Sequence, residues 1–138
     1  MLIAIEDEYR AYREVIAAGI GALRPGVEVA SVGLTEKQAI EQYGEVDTYE
    51  YNLAGNGRSK ILTTTGVVKL VREKDGPIVG VHMIGSRMGE QVGEASLTVN
   101  WEAYPEDVAQ FIHAHPTQNE SLGEAALALA GKPLNAHN

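Results

Sequence analysis

Gly66-Val67-Val68-Lys69-Leu70-Val71-Arg72-Glu73-Lys74-Asp75-Gly76-Pro77-Ile78-Val79-Gly80-Val81-His82-Met83-Ile84 is the stretch that decides the fold. Both halves are rich in β-branched and bulky apolar residues, and Lys74-Asp75-Gly76-Pro77 between them is a turn sequence. Two β-rich runs joined by a short Asp-Gly turn predict an antiparallel hairpin, with strands over Gly66–Glu73 and Pro77–Ile84. On the C-terminal side, Ser86–Trp101 reads as a helix with Met88, Val92, Ala95 and Val99 on one face. Pro105 starts a short acidic helix through about Ile112. His113–Pro116 is a break, and Thr117 opens an alanine-rich helix that ends at Gly131-Lys132-Pro133. The tail beyond Leu134 is polar.

On the N-terminal side, Arg58–Thr64 is a connection of ambiguous type, extended if it is regular. Gly55-Asn56-Gly57 breaks a strand over Val46–Leu53. Thr35 and Gln38 have the spacing of a capping box for a helix that ends near Tyr43-Gly44. Val27–Val32 reads as a strand. Before it, Tyr12, Val15, Ile16, Ile20 and Leu23 recur as one face of a helix over Glu8–Leu23, preceded by a short strand at Leu2–Ile5. The fold class that follows is α+β: an antiparallel sheet covered mainly on one face by helices, with an extra N-terminal strand and helix.

The chain has 138 residues, 44% of them hydrophobic and 22% charged, which suits one folded domain with a hydrophobic core. Nineteen acids against eleven bases give a net charge of −8. That balance disfavours nucleic acid and anionic membrane surfaces as partners, because both require a basic face. There is no cysteine, hence no disulfide, thiol nucleophile or cysteine-held metal from these residues. No apolar run approaches the ~20 residues that span a bilayer. Met1–Ile5 is too short for a signal sequence and is followed by acids, so a cytoplasmic protein is expected.

His113-Ala114-His115-Pro116-Thr117-Gln118-Asn119-Glu120 is the segment with the most chemistry. Histidine titrates near neutral pH, and a carboxylate on one ring nitrogen would hold its tautomer and stabilise its charged form. Glu120 is close enough in sequence to do this for His115. The same glutamate also completes a Thr117-x-x-Glu120 capping box, which would explain it without any chemistry. Spacing leaves both readings open. His113 and His115 have no evident third ligand, so no metal site is expected.

His113-Ala114-His115-Pro116-Thr117 with Glu120 resembles the C-terminal signature of dihydrolipoyl dehydrogenases. The likeness extends to Glu28–Glu36, Asn56-Gly57-Arg58, Gly66–Leu70, Ile78–Gly85 and Ala130–Leu134, in that family's order, and covers roughly residues 27–134. It implies the interface (dimerisation) domain of a homodimeric FAD- and NAD-dependent disulfide oxidoreductase. By that resemblance His115 is the acid–base catalyst and Glu120 orients it. The pair would serve the partner subunit's flavin and disulfide, with a cis His115-Pro116 bond whose backbone lies near that flavin. No Cys-x4-Cys pair and no Gly-x-Gly-x-x-Gly turn in a strand–helix setting is present. Neither FAD nor NAD is therefore expected on this chain alone, and by itself it is expected to be inactive. The competing reading is a binding or signalling protein, or an artificial fusion, that uses the domain only to dimerise.

Residues 1–26 are expected to be an extension of different origin, and residues 27–138 the interface domain. The opening Ile3–Glu8 resembles that of response-regulator receiver domains, in which case Glu6 and Asp7 are candidate magnesium ligands. The plainer reading is a solvated acidic loop before a helix. Trp101 and Tyr104 are candidates for a dimer interface or for core packing. Arg87 is expected early in a helix, free to pair with an acid across the interface. Gly80 and Gly85 are read as strand-geometry positions, and His82 as a hydrogen-bonded structural histidine.

Overall fold

The computed structural model describes residues 2–4 and 26–135. The helix expected over Glu8–Leu23, and Glu6 and Asp7, lie outside the described residues. The elements are β1 (Leu2–Ala4), β2 (Val27–Gly33), α1 (Glu36–Tyr43), β3 (Val46–Asn52), α2 (Gly57–Ile61), β4 (Val67–Glu73), β5 (Ile78–Ser86), α3 (Val92–Asn100), α4 (Pro105–Val108) and α5 (Glu120–Leu129). One sheet runs in the order β1-β2-β5-β4-β3. β2, β5, β4 and β3 are mutually antiparallel, and β1 joins β2 in parallel.

The hairpin forms as its sequence dictates. Asp75 takes the left-handed turn conformation at φ 54, which Asp tolerates because its short side chain can bond locally. Strand alternation then sorts the faces. Ala30, Met83, Val68 and Tyr51 lie across from one another, as do Val32, Val81, Leu70 and Tyr49. These two rows face the core, together with Ala95, Val108, Leu122, Ala125 and Ala126 from α3, α4 and α5. The opposite face carries the row Ser31, His82, Lys69 and Glu50, over which α1 stands. A Cβ at Gly80 would collide with the Leu34 carbonyl, so glycine is needed where the chain entering α1 crosses β5.

Several expected boundaries move, each for a local reason. β5 continues through Ser86, which pairs with Val27, so the expected helix over Ser86–Trp101 shrinks. Arg87 then turns left-handed at φ 60, a 3-10 turn occupies Met88–Gln91, and α3 begins only at Val92. Arg87 is thus a turn residue before the helix, not a residue within it. The Arg58–Thr64 connection is not extended: Asn56 Oδ1 accepts from Ser59 N at 2.9 Å and caps α2. α4 stops at Val108, well short of Ile112. α5 starts at Glu120, not at Thr117, because the backbone between them is engaged elsewhere.

Candidate functional site

The loop from Ala109 to Asn119 joins α4 to α5 and is held from three directions. From α2, Arg58 Nε donates to the Pro116 carbonyl and Asn56 Nδ2 to the Thr117 carbonyl, both at 2.9 Å. Ser59 Oγ donates to Gln118 Oε1 at 2.8 Å, and Gln118 Nε2 donates to the Ser86 carbonyl at 3.0 Å. From within the loop, Thr117 Oγ1 donates to the Ala114 carbonyl at 2.6 Å. With the Pro116 and Thr117 carbonyls taken by side chains, they do not accept the bonds that would start a helix there. The His115-Pro116 peptide is cis.

Glu120 divides its carboxylate between two duties. Its Oε1 is 2.8 Å from His115 Nδ1, and its Oε2 accepts from Thr117 N at 2.8 Å. The two readings of its spacing therefore coexist: one oxygen faces the imidazole and the other ties down the backbone. The capping box is only half made, since the Thr117 hydroxyl turns back to Ala114. A carboxylate facing Nδ1 accepts from its N–H, which leaves Nε2 as the basic nitrogen of the neutral ring. His115's side chain is 75% exposed, against 25% for Glu120. Gly57, at the start of α2, lies against the ring edge, where an added Cβ would sit 3.6 Å from His115 Cε1.

A second histidine–carboxylate pair sits behind the first. His113 Nε2 is 2.7 Å from Glu94 Oε1, with the two side chains 11% and 21% exposed. The Glu94 hydrogen bond and its charge, with a smaller contribution from Glu120, hold the His113 imidazole above its ordinary range, against the opposing effect of burial. A cleft of about 250 Å³ runs past Phe111, Ile112, His113, Glu120, Leu127 and Leu134. At its edge Asn135 closes on buried Glu124 through its N and Nδ2. Burial, helped by Glu124 and Glu120, pushes the Tyr51 phenol up to about 12, so it remains a neutral hydroxyl.

The other sequence candidates sort clearly. Trp101 and Tyr104 are 75% and 45% exposed, so core packing within the single chain is not their role. His82 is a structural histidine, with Nδ1 2.6 Å from Ser31 Oγ and Nε2 2.9 Å from the Leu34 carbonyl. It lines a larger groove, roughly 700 Å³, beneath α1. Lys69 there is already paired with Glu36 and Glu50. Among the described residues no cluster of three or more His, Asp or Glu could hold a metal ion, and no helix is long and apolar enough to cross a membrane. Sequence reasoning missed Glu94 and Ser59 as parts of the site, and gave Gln118, within the segment it singled out, no role. Asn56 and Arg58 were visible only as a motif without a role.

The antiparallel sheet with α3 and α5 on one face is an architecture found in flavoprotein disulfide reductases. LpdA from Mycobacterium tuberculosis superposes with a TM-score of 0.67 at 23% identity, over 73% of this chain and 22% of that one. In sequence, residues 25–126 match the pyridine nucleotide-disulphide oxidoreductase dimerisation domain, and the chain belongs to that family. It is 39% identical over 118 residues to a mitochondrial dihydrolipoyl dehydrogenase of Arabidopsis thaliana, covering 80% of this chain and 23% of the relative. It is 40% identical over 111 residues to a dihydrolipoyl dehydrogenase of Bacillus subtilis, covering 79% and 24%. The chain thus spans about a quarter of the length of these relatives.

Proposed function

We propose that this domain brings two copies of a dihydrolipoyl-dehydrogenase-like enzyme together as a homodimer and supplies His115 and Glu120 as an acid–base pair to the partner subunit's active site. The observation that carries the reading is the 2.8 Å contact between His115 Nδ1 and Glu120 Oε1 on a ring that is 75% exposed. Exposed Leu97, Trp101, Phe111 and Ile112, with Ile112 at 99%, support a face covered by a second subunit. Residues 1–26 are taken as an extension of different origin attached to this domain.

Chemically, His115 Nε2 takes the proton of a substrate thiol and leaves a thiolate, the nucleophile of thiol–disulfide exchange. Glu120 stabilises the imidazolium so formed and holds the ring with Nε2 outward. The residues present contain no cysteine and no dinucleotide-binding glycine turn, so FAD, NAD and the redox disulfide are assigned to other parts of the assembled enzyme. Bound flavin there supplies the two-electron acceptor. By resemblance to the family, the backbone at His115 and Pro116 would lie on the side of the loop that meets the flavin.

The test is a chimera in which this chain replaces the corresponding domain of the Bacillus subtilis enzyme. Flavin-loaded dimer that oxidises dihydrolipoamide, with turnover lost in His115→Gln, is the expected result. A chimera that turns over equally well with and without His115 overturns the assignment.

A further inference from the structure

Glu94 has two partners, and each is a near neighbour in sequence of one member of the His115–Glu120 pair. Its Oε1 is 2.7 Å from His113 Nε2, two residues before His115. Its Oε2 accepts from Asn119 Nδ2, at a longer 3.4 Å, one residue before Glu120. Glu94 itself stands in the first turn of α3, an element that contributes nothing else to the pair. One carboxylate on a packed helix thus holds the loop at two points, His113 ahead of His115 and Asn119 just before Glu120.

The seat of His113 is closed from the other side by α5. A Cβ at Gly123 would lie 2.7 Å from His113 Nδ1 and 2.9 Å from Cε1. Closer than about 3 Å, something must shift, so α5 carries glycine where the His113 ring lies. The charged groups around that ring are Glu94 from α3 and Glu120 and Glu124 from α5. His115 is seated more loosely, with only Gly57 beside the ring edge, where an added Cβ would make ordinary contact at 3.6 Å. Its exposed ring contacts Glu120, and a single hydrogen bond at the surface does not outweigh the freedom of a side chain whose backbone can move. Its direction is therefore inherited from the residues on either side.

We propose that Glu94 is the positioning residue of the His115–Glu120 pair, acting through His113 and Asn119. This deepens the acid–base reading of that pair and rests on it. Truncating Glu94 releases His113 and Asn119 together, so the loop and the start of α5 lose their common anchor and the 2.8 Å contact is made only part of the time.

The tautomer of His115 reports that contact directly. A neutral imidazole can carry its proton on either nitrogen, and a carboxylate at Nδ1 holds it there. Ring ¹⁵N NMR of the full chain, in alkaline buffer, is expected to show a His115 Nδ1–H majority in the parent. That majority should be lost in Glu120→Ala. It should also be lost in Glu94→Ala, and in Gly123→Ala, where the helix gains intrinsic stability while the His113 seat is filled. Glu94→Gln, whose amide oxygen can still accept from His113 Nε2, should retain most of it. The proposal is overturned if His115 stays Nδ1–H in Glu94→Ala and Gly123→Ala while the His113 signals show its Glu94 contact gone. It is also overturned if Glu94→Gln loses the tautomer as fully as Glu94→Ala, since charge and not position would then be the cause. If the parent shows no Nδ1–H preference at His115, the acid–base reading falls first and this inference with it. Should Glu94→Ala fail to fold, Gly123→Ala and Glu94→Gln decide.

Discussion

His113–Glu94 and His115–Glu120 use the same two side-chain types, at 2.7 and 2.8 Å, with histidines two residues apart. They differ in surroundings. The inner pair joins α3 to the loop under cover, with both side chains mostly buried, while the outer pair presents a ring that is three-quarters exposed. Burial strengthens a charge-assisted hydrogen bond but also makes its loss costly, because the orphaned group has no water to turn to. Exposure weakens the same bond and leaves a ring nitrogen open to the surroundings. The inner pair is thus suited to holding structure, and the outer pair to exchanging protons.

The most severe way to break this contrast is at the outer ring. In the chimeric enzyme, His115→Gln should lower lipoamide turnover by about 10²–10⁴-fold, the usual contribution of a positioned acid–base group. Its urea midpoint should stay close to that of the parent. A variant that unfolds readily but turns over normally would reverse the roles assigned to the two pairs.

At the inner pair the larger effect should be on stability. Glu94→Ala leaves His113 under cover without its acceptor, and the expected loss is about 1–3 kcal/mol in equilibrium urea unfolding. The pH dependence sharpens the point. His113 is held above its ordinary 6.5 in the folded protein, chiefly by the Glu94 hydrogen bond. Its folded form binds the proton more tightly than its unfolded form does. That contribution is fully present below the unfolded value and is lost as pH rises through the raised folded value. Urea midpoints measured between about pH 6 and about pH 9 should fall in the parent. The same series in Glu94→Gln should be flatter, and an equal slope in both would detach the dependence from this pair.

Glu120→Ala should cost less stability than Glu94→Ala. It removes an exposed histidine contact, worth little, and the acceptor for Thr117 N, for an expected loss of about 0.5–1 kcal/mol. A loss as large as that of Glu94→Ala would show that the outer pair is also a structural element.

The hairpin, the capped α1 and the apolar rows of the sheet were legible because each depends on a short local pattern. Alternation at Val68, Leu70, Val81 and Met83 specifies a face, and Thr35 with Gln38 specifies a helix start, whatever lies beyond them. Boundaries failed where a distant partner intervened. Ser86 stays in β5 because Val27 lies across from it, and Thr117 does not open α5 because Arg58 and Asn56 claim the Pro116 and Thr117 carbonyls. Nothing local signals either event.

The sequence by itself determined the class of fold, the order of its strands along the chain and the eight-residue segment that holds both histidines and Glu120, since composition, periodicity and a contiguous motif are all local properties. Only the tertiary structure decided that Glu120 serves the imidazole and the backbone at once. It also decided that His113 is covered while His115 is exposed, and that Glu94, nineteen residues before its histidine, stands behind both pairs. Side chains so far apart in sequence meet only when α3 and α5 pack on the same face of the sheet. A hydrogen bond depends on that final separation and direction, which no spacing along the chain encodes.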